Sequence, residues 1–196
     1  MPSIANTGRP LPGEYGAHAE SDIARVAGDD ATEALARQER EVKELFGALD
    51  EKAIAALRYA PGKWTLKEIL GHLIDDERIF AYRALCIARG DARPLASFDE
   101  NDYVAAANFE QRPLRDLLDE YCLTRCASIA FFHSLTSEAW LRRGTVTDYT
   151  ASVRGLAFHI AGHELHHLGV IRERYLTVNV SPPAPSHTAE DPAASG

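Results

Sequence analysis

Four long stretches of this sequence repeat their apolar residues every three or four positions, and no segment alternates with the period of two that demands a strand. The first runs from about Ala31 to Leu49, with Leu35, Val42, Leu45, Phe46 and Leu49 on one stripe and Glu, Arg and Lys on the other. A short helical piece over Asp50–Leu57 follows, then a break at Pro61-Gly62. The second long helix has a marked start, because Thr65 with Glu68 three residues later is a capping box. It carries Leu66, Ile69, Leu70, Leu73, Ile79, Phe80 and Leu85 and stops at Gly90, a residue suited to the left-handed position past a helix end. A loop over 90–111, with one helical turn near Tyr103–Ala107, leads to the third helix. That helix opens at Pro113 and presents Leu114, Leu117, Leu118, Tyr121, Ile129 and Phe132. A turn of helix at Ser137–Leu141 and a Gly/Thr/Asp connection precede the fourth, which spans about Ser152 to Tyr175. Ser21–Val26 reads as a further short helix. Four long amphipathic helices without a strand give an all-α chain, a four-helix bundle.

Composition bounds what surrounds that bundle. At 196 residues the chain suits one domain. Residues 1–19 are expected as a disordered arm, 20–176 as the bundle, and 177–196, rich in Pro, Ala and Ser, as a disordered tail that includes His187. The net charge of −8, with no basic run, argues against nucleic acid and against an anionic membrane surface as partners. No apolar stretch approaches the roughly 20 residues of a membrane helix, and Met1–Pro12 lacks the features of a signal peptide. Cys86, Cys122 and Cys126 lie inside helical patterns and read as small buried hydrophobes of a reducing compartment, so a cytoplasmic location is expected.

The chemistry concentrates in histidine. Four of the eight histidines, His159, His163, His166 and His167, fall in the fourth helix. Each helical residue advances about 100°, so His167 lies about 40° from His163 and one turn along, and both imidazoles can meet at one point. Leu156, Ile160 and Val170 share that direction, which turns the pair toward the core. His159 and His166 fall on the other flank and read as edge or surface residues, with Leu165 and Leu168 on the far side. In the second helix His72 shares its direction with Ile69, Ile79 and Arg83, and Asp76 lies one turn on. Two histidines on one helix and one on another make three neutral nitrogen ligands with positions left open, the pattern of a catalytic rather than a structural metal site. Imidazole suits zinc, nickel, copper or iron(II), with manganese a further candidate. Asp76 is placed either to orient a ligand or to serve as a fourth one.

His163-Glu164-Leu165-His166-His167 also spells the H-E-x-x-H of zinc proteases, with Glu164 as general base. Its longer form requires a glycine at 170 and a histidine at 173, where this chain has Val170 and Glu173. A metalloprotease is therefore set aside.

The blocks KWTLKEILGHLIDDERIFAYRALCIARGD (63–91) and LAFHIAGHELHHLGVIRERYL (156–176), together with FDENDYV (98–104) and SEAW (137–140), resemble the DinB-like (DinB/YfiT-like) family of metalloenzymes. The resemblance spans roughly 20–176. It implies an antiparallel-type four-helix bundle with a long crossover connection, paired as a homodimer. It also implies a metal triad of His72, His163 and His167, the three residues that helical geometry selects. Activity in such a family is not uniform. The leading expectation is transfer of a low-molecular-weight thiol to a small electrophile through a divalent metal ion. The alternatives are a hydrolase in which Asp76 or Glu164 relays a proton, and a non-enzymatic metal-binding stress protein.

Overall fold

Thr65 caps its helix as the spacing predicts: the Glu68 amide donates to the Thr65 hydroxyl at 3.2 Å, and the Thr65 amide donates to the Glu68 carboxylate at 2.7 Å. The computed structural model describes residues 7–176. Within them lie α1 (Glu20–Arg25), α2 (Ala31–Gly47), α3 (Glu51–Ile54), α4 (Leu66–Ala88), α5 (Glu100–Ala107), α6 (Leu114–His133), α7 (Ser137–Leu141) and α8 (Val153–Val170). The last helix runs on into a π-helical turn, Ile171–Leu176. Asp30 starts α2 by accepting from the Thr32 and Glu33 amides, and Ser152 starts α8 by accepting from the Gly155 amide. Gly90 ends the second long helix with φ 80°, as expected.

The core divides into two apolar clusters. One gathers Leu35, Phe80, Phe132 and Phe158, the other Phe46, Leu70, Leu117 and Ile171. Along every long helix the switch between them falls at buried polar residues: Gln38 on α2, Asp76 and Glu77 on α4, Arg125 on α6, Glu164 on α8. A polar layer therefore crosses the middle of the bundle. The clusters also fix direction, since α4 and α6 begin in the second cluster whereas α2 and α8 begin in the first. Both α4 and α2 pack against α6 and α8, so α2/α4 and α6/α8 are the diagonals. Because α4 and α6 enter from the same end, residues 89–113 must return the length of the bundle, which is the expected crossover. They do so against α4, where the Phe109 ring occupies the space that a Cβ on Gly71 would fill.

Several expectations change. Residues 7–19 are packed, not a loose arm, because buried polar groups tie them down. The Glu14 carboxylate accepts from Arg154 at 2.6 Å and from Arg143 at 2.8 Å, and Arg9 donates to the Ile23 and Val26 carbonyls at the end of α1. The Gly/Thr/Asp connection is an antiparallel hairpin, β1 (Arg143–Val146) with β2 (Tyr149–Ser152), turning through Thr147 at φ 55°. Its edge bonds the crossover through Leu95, whose amide donates to the Thr145 carbonyl at 3.0 Å. The helical turn expected near Tyr103 is the longer α5. Leu168 is fully buried in the second cluster and Leu165 is packed against the first, so neither is free on an outward face. The cysteines are not core residues: Cys86 and Cys122 are half-buried and Cys126 is exposed. The tail expected over 177–196 lies outside the described residues. Among the described residues no helix is long and apolar enough to cross a membrane.

Candidate metal centre

Two helices bring three imidazoles to one point. His72 projects from α4, and His163 and His167, one turn apart, project from α8. The Nε2 atom of His163 lies 3.2 Å from Nε2 of His72 and 3.1 Å from Nε2 of His167. Nitrogens held by one tetrahedral ion at 2.0–2.1 Å stand about 3.3 Å apart. The donor set and its spacing therefore fit one divalent ion, and the three side chains form the metal-capable cluster of the described residues. Trp64 packs on this group, its ring centroid 4.7 Å from that of His72. Tyr175, in the π-helical turn, donates to the Trp64 carbonyl and so holds the indole's backbone.

Asp76 lies behind the triad rather than in it. Its carboxylate faces Nδ1 of His163 at 3.2 Å, the nitrogen away from the cluster. Nδ1–H donating to that carboxylate leaves the lone pair of Nε2 for an ion. Burial works against a charged His163, but the adjacent Asp76 carboxylate outweighs it and raises the imidazole pKa. Burial also opposes charge on Asp76, and His163 reverses that, holding the carboxyl below its ordinary range. Burial, with His163 adding to it, pushes His72 down to about 4 and His167 down to about 2. Both are neutral near pH 7, as ligands must be.

A model of the DinB superfamily matches residues 8–171. The chain belongs to the DinB superfamily. YfiT from Bacillus subtilis, described as a probable metal-dependent hydrolase with an unusual four-helix bundle topology, shares its fold. The TM-score is 0.70 at 16% identity, over 89% of this chain and 97% of that one. None of the curated protein sequences matches.

Glu164 does not take part in this superfamily member's triad. It is 1% exposed and turned into the polar layer, where Arg125 donates to it at 2.6 Å and Tyr121 at 2.8 Å. Arg125 also meets the Glu77 carboxylate at 3.0 Å and the Leu35 carbonyl at 3.0 Å, so one guanidinium joins all four long helices. Burial pushes Glu164 up against the pull of Arg125. The H-E-x-x-H spelling thus splits between two faces: its histidines meet His72, and its glutamate braces the bundle.

Two cavities flank the triad. A cavity of about 310 Å³ touches His72 and His163 and is walled by residues from the turn before α1, α1 itself, α4, the crossover and the hairpin, among them His18, Asp22, Arg83, Glu100 and Tyr149. A second, of about 220 Å³, touches His167 and includes Tyr59, Lys63, Trp64 and His166. His159 belongs to the first cavity rather than to the surface. It is 7% exposed and stacks on Phe80 with centroids 3.9 Å apart, and burial drives its pKa down to about 3. His166 is an edge residue, as expected, 3.5 Å from Asp22. His18 and Asp22 escape a reading of the sequence because a short helix at Ser21–Val26 carries too few residues to show which part of the bundle it meets. His133 is exposed and stands apart from the site.

Proposed function

We propose that the chain is a metal-dependent hydrolase of a small molecule, with His72, His163 and His167 as its metal ligands. The observation that carries this reading is the meeting of three Nε2 atoms at the wall of a solvent-reachable cavity. A purely structural ion is instead closed off by four protein ligands. The description of YfiT supports the same chemistry. A zinc-type ion in such a site supplies an activated water near neutral pH and Lewis acidity toward a carbonyl or phosphoryl oxygen. The chain's own residues do the rest. Asp76 fixes the tautomer and ring orientation of His163. Neutral His72 and His167 keep their lone pairs. Asp22 and Glu100, at the cavity wall, replace Glu164 as the carboxylates that can carry a proton.

Thiol transfer is the second reading, and the cavity on the far side of His167 favours it, because a thiol and an electrophile then have separate approaches to the triad. The two readings part in one assay. Protein loaded with zinc, nickel or manganese is offered aryl esters, lactams and phosphodiesters without thiol, then an electrophilic bimane with glutathione, mycothiol or bacillithiol. Turnover without thiol, lost in the His72→Ala/His163→Ala/His167→Ala variant, is the expected result. Turnover only with thiol replaces hydrolysis by transfer.

A further inference from the structure

We propose that Arg83 is the anion-recognition residue of the cavity beside the triad, and that the substrate carries a carboxylate which this guanidinium binds while its reacting group faces the three histidines. The inference rests on the hydrolase reading and adds the class of substrate.

Arg83 is 4% exposed, and among the described residues its guanidinium finds no carboxylate within ion-pair distance. The other deeply buried arginines do find one: Arg125 has Glu77 and Glu164, and Arg154 has Glu14. Among the described residues Arg83 makes a single hydrogen bond, from Nη2 to the Ala96 carbonyl at 2.7 Å. A guanidinium has five N–H donors, and Arg83 lines the same cavity as His72, Asp76 and His163. Burying a cation without a directly paired counter-charge is costly, and Asp76 reaches Arg83 only at longer range, so the fork is left open to an oxyanion in the cavity. The Phe80 and Phe98 rings pack against the guanidinium, its carbon 4.7 and 5.5 Å from their centroids, and hold the planar group in place. A fixed planar fork matches a carboxylate bidentately.

Position sets the length of the ligand. Asp76 and Arg83 are seven residues apart on one face of α4, about 10 Å along its axis. A cavity of about 310 Å³ accepts a small organic acid spanning that length. Charge sets its kind. Asp22, Asp76 and Glu100 share the wall, and they disfavour a dianionic phosphate against a monoanionic carboxylate.

The test uses the full chain, zinc-free and zinc-loaded, titrated calorimetrically with N-acetylglycine and hippurate, their neutral amides, and methyl phosphate. At least one acid should saturate the protein and bind at least tenfold more tightly than its amide. Arg83→Met, which keeps the apolar stem between the phenylalanines, should weaken the acid tenfold or more and leave the amide unchanged. Arg83→Lys should weaken it less. Circular dichroism melting checks that each variant is folded, and if Arg83→Met is not, Arg83→Lys and the acid–amide comparison on the unaltered chain still decide. Equal binding of acid and amide, saturation by neither acid, tighter binding of methyl phosphate, or an indifferent folded Arg83→Met would each overturn the proposal. Acid binding that depends on Arg83 and persists in the triple histidine variant supports it even where hydrolysis is absent, so the two readings fail separately.

Discussion

His163 meets two demands with its two nitrogens: Nε2 joins the cluster and Nδ1 faces Asp76. If the carboxylate sets that division, Asp76→Ala should weaken zinc binding 10–100-fold, the range for a group orienting a metal-bound histidine. Competition against a chromophoric chelator measures it, and unchanged affinity would remove Asp76 from the account. Glu14 gives a prediction about pH. Burial would raise its carboxyl, but Arg154, the Leu11 amide and Arg143 together lower it to about 2. A group depressed in the folded state stabilises above its unfolded pKa, and the benefit disappears as pH falls through the folded value. Glu14→Gln should therefore cost roughly 2 kcal/mol at pH 7, and the gap in Tm should close between about pH 4.5 and 2. At this scale the sequence shows the triad well, because 100° per residue aligns His163 with His167 whatever packs outside. The same arithmetic puts Arg83 in the direction of His72, yet nothing in the letters shows that no carboxylate pairs with it directly.

At the scale of elements, α8 explains most of what a helical wheel misassigns. From Val153 to Gly162 every residue is buried, so the helix has no solvent face on which to put His159. The covering element is α1, and glycine permits its approach: a Cβ on Gly162 would come 2.4 Å from the Asp22 carbonyl oxygen. Gly162→Ala should push α1 away and cost about 1–3 kcal/mol in urea denaturation. Glu164, on the same helix, separates the motif reading from the structural one. Glu164→Gln should lower Tm and spare turnover, because the Glu164 carboxylate braces Arg125 and Tyr121, whereas a protease-type general base would leave stability alone and abolish turnover. Arg125→Met leaves two buried carboxylates without their cation and should cost about 3–5 kcal/mol. The hairpin was hidden for a different reason. Each strand has four residues, and its turn uses Thr147-Asp148 rather than the Asn-Gly or Asp-Gly that announces such turns.

For the whole molecule, the four helices and the capping box are legible because long periodic segments and caps are local signals, whereas the crossover follows from the family resemblance and not from periodicity. The packing of residues 7–19 and the wall of the cavity depend on contacts between segments far apart in sequence, which periodicity does not encode. Homodimerisation is a proposal that rests on the family resemblance, and Leu165 and Leu168, packed against the core, do not supply its surface; light scattering at micromolar concentration tests it. Everything proposed for the site depends on two helices holding one divalent ion through three imidazoles. Elemental analysis of the purified chain beside the His72→Ala/His163→Ala/His167→Ala variant, each after incubation with zinc, nickel and manganese and then dialysis, tests it most directly. About one equivalent of metal is expected in the unaltered chain and none in the variant. No metal in either, or equal metal in both, would contradict it.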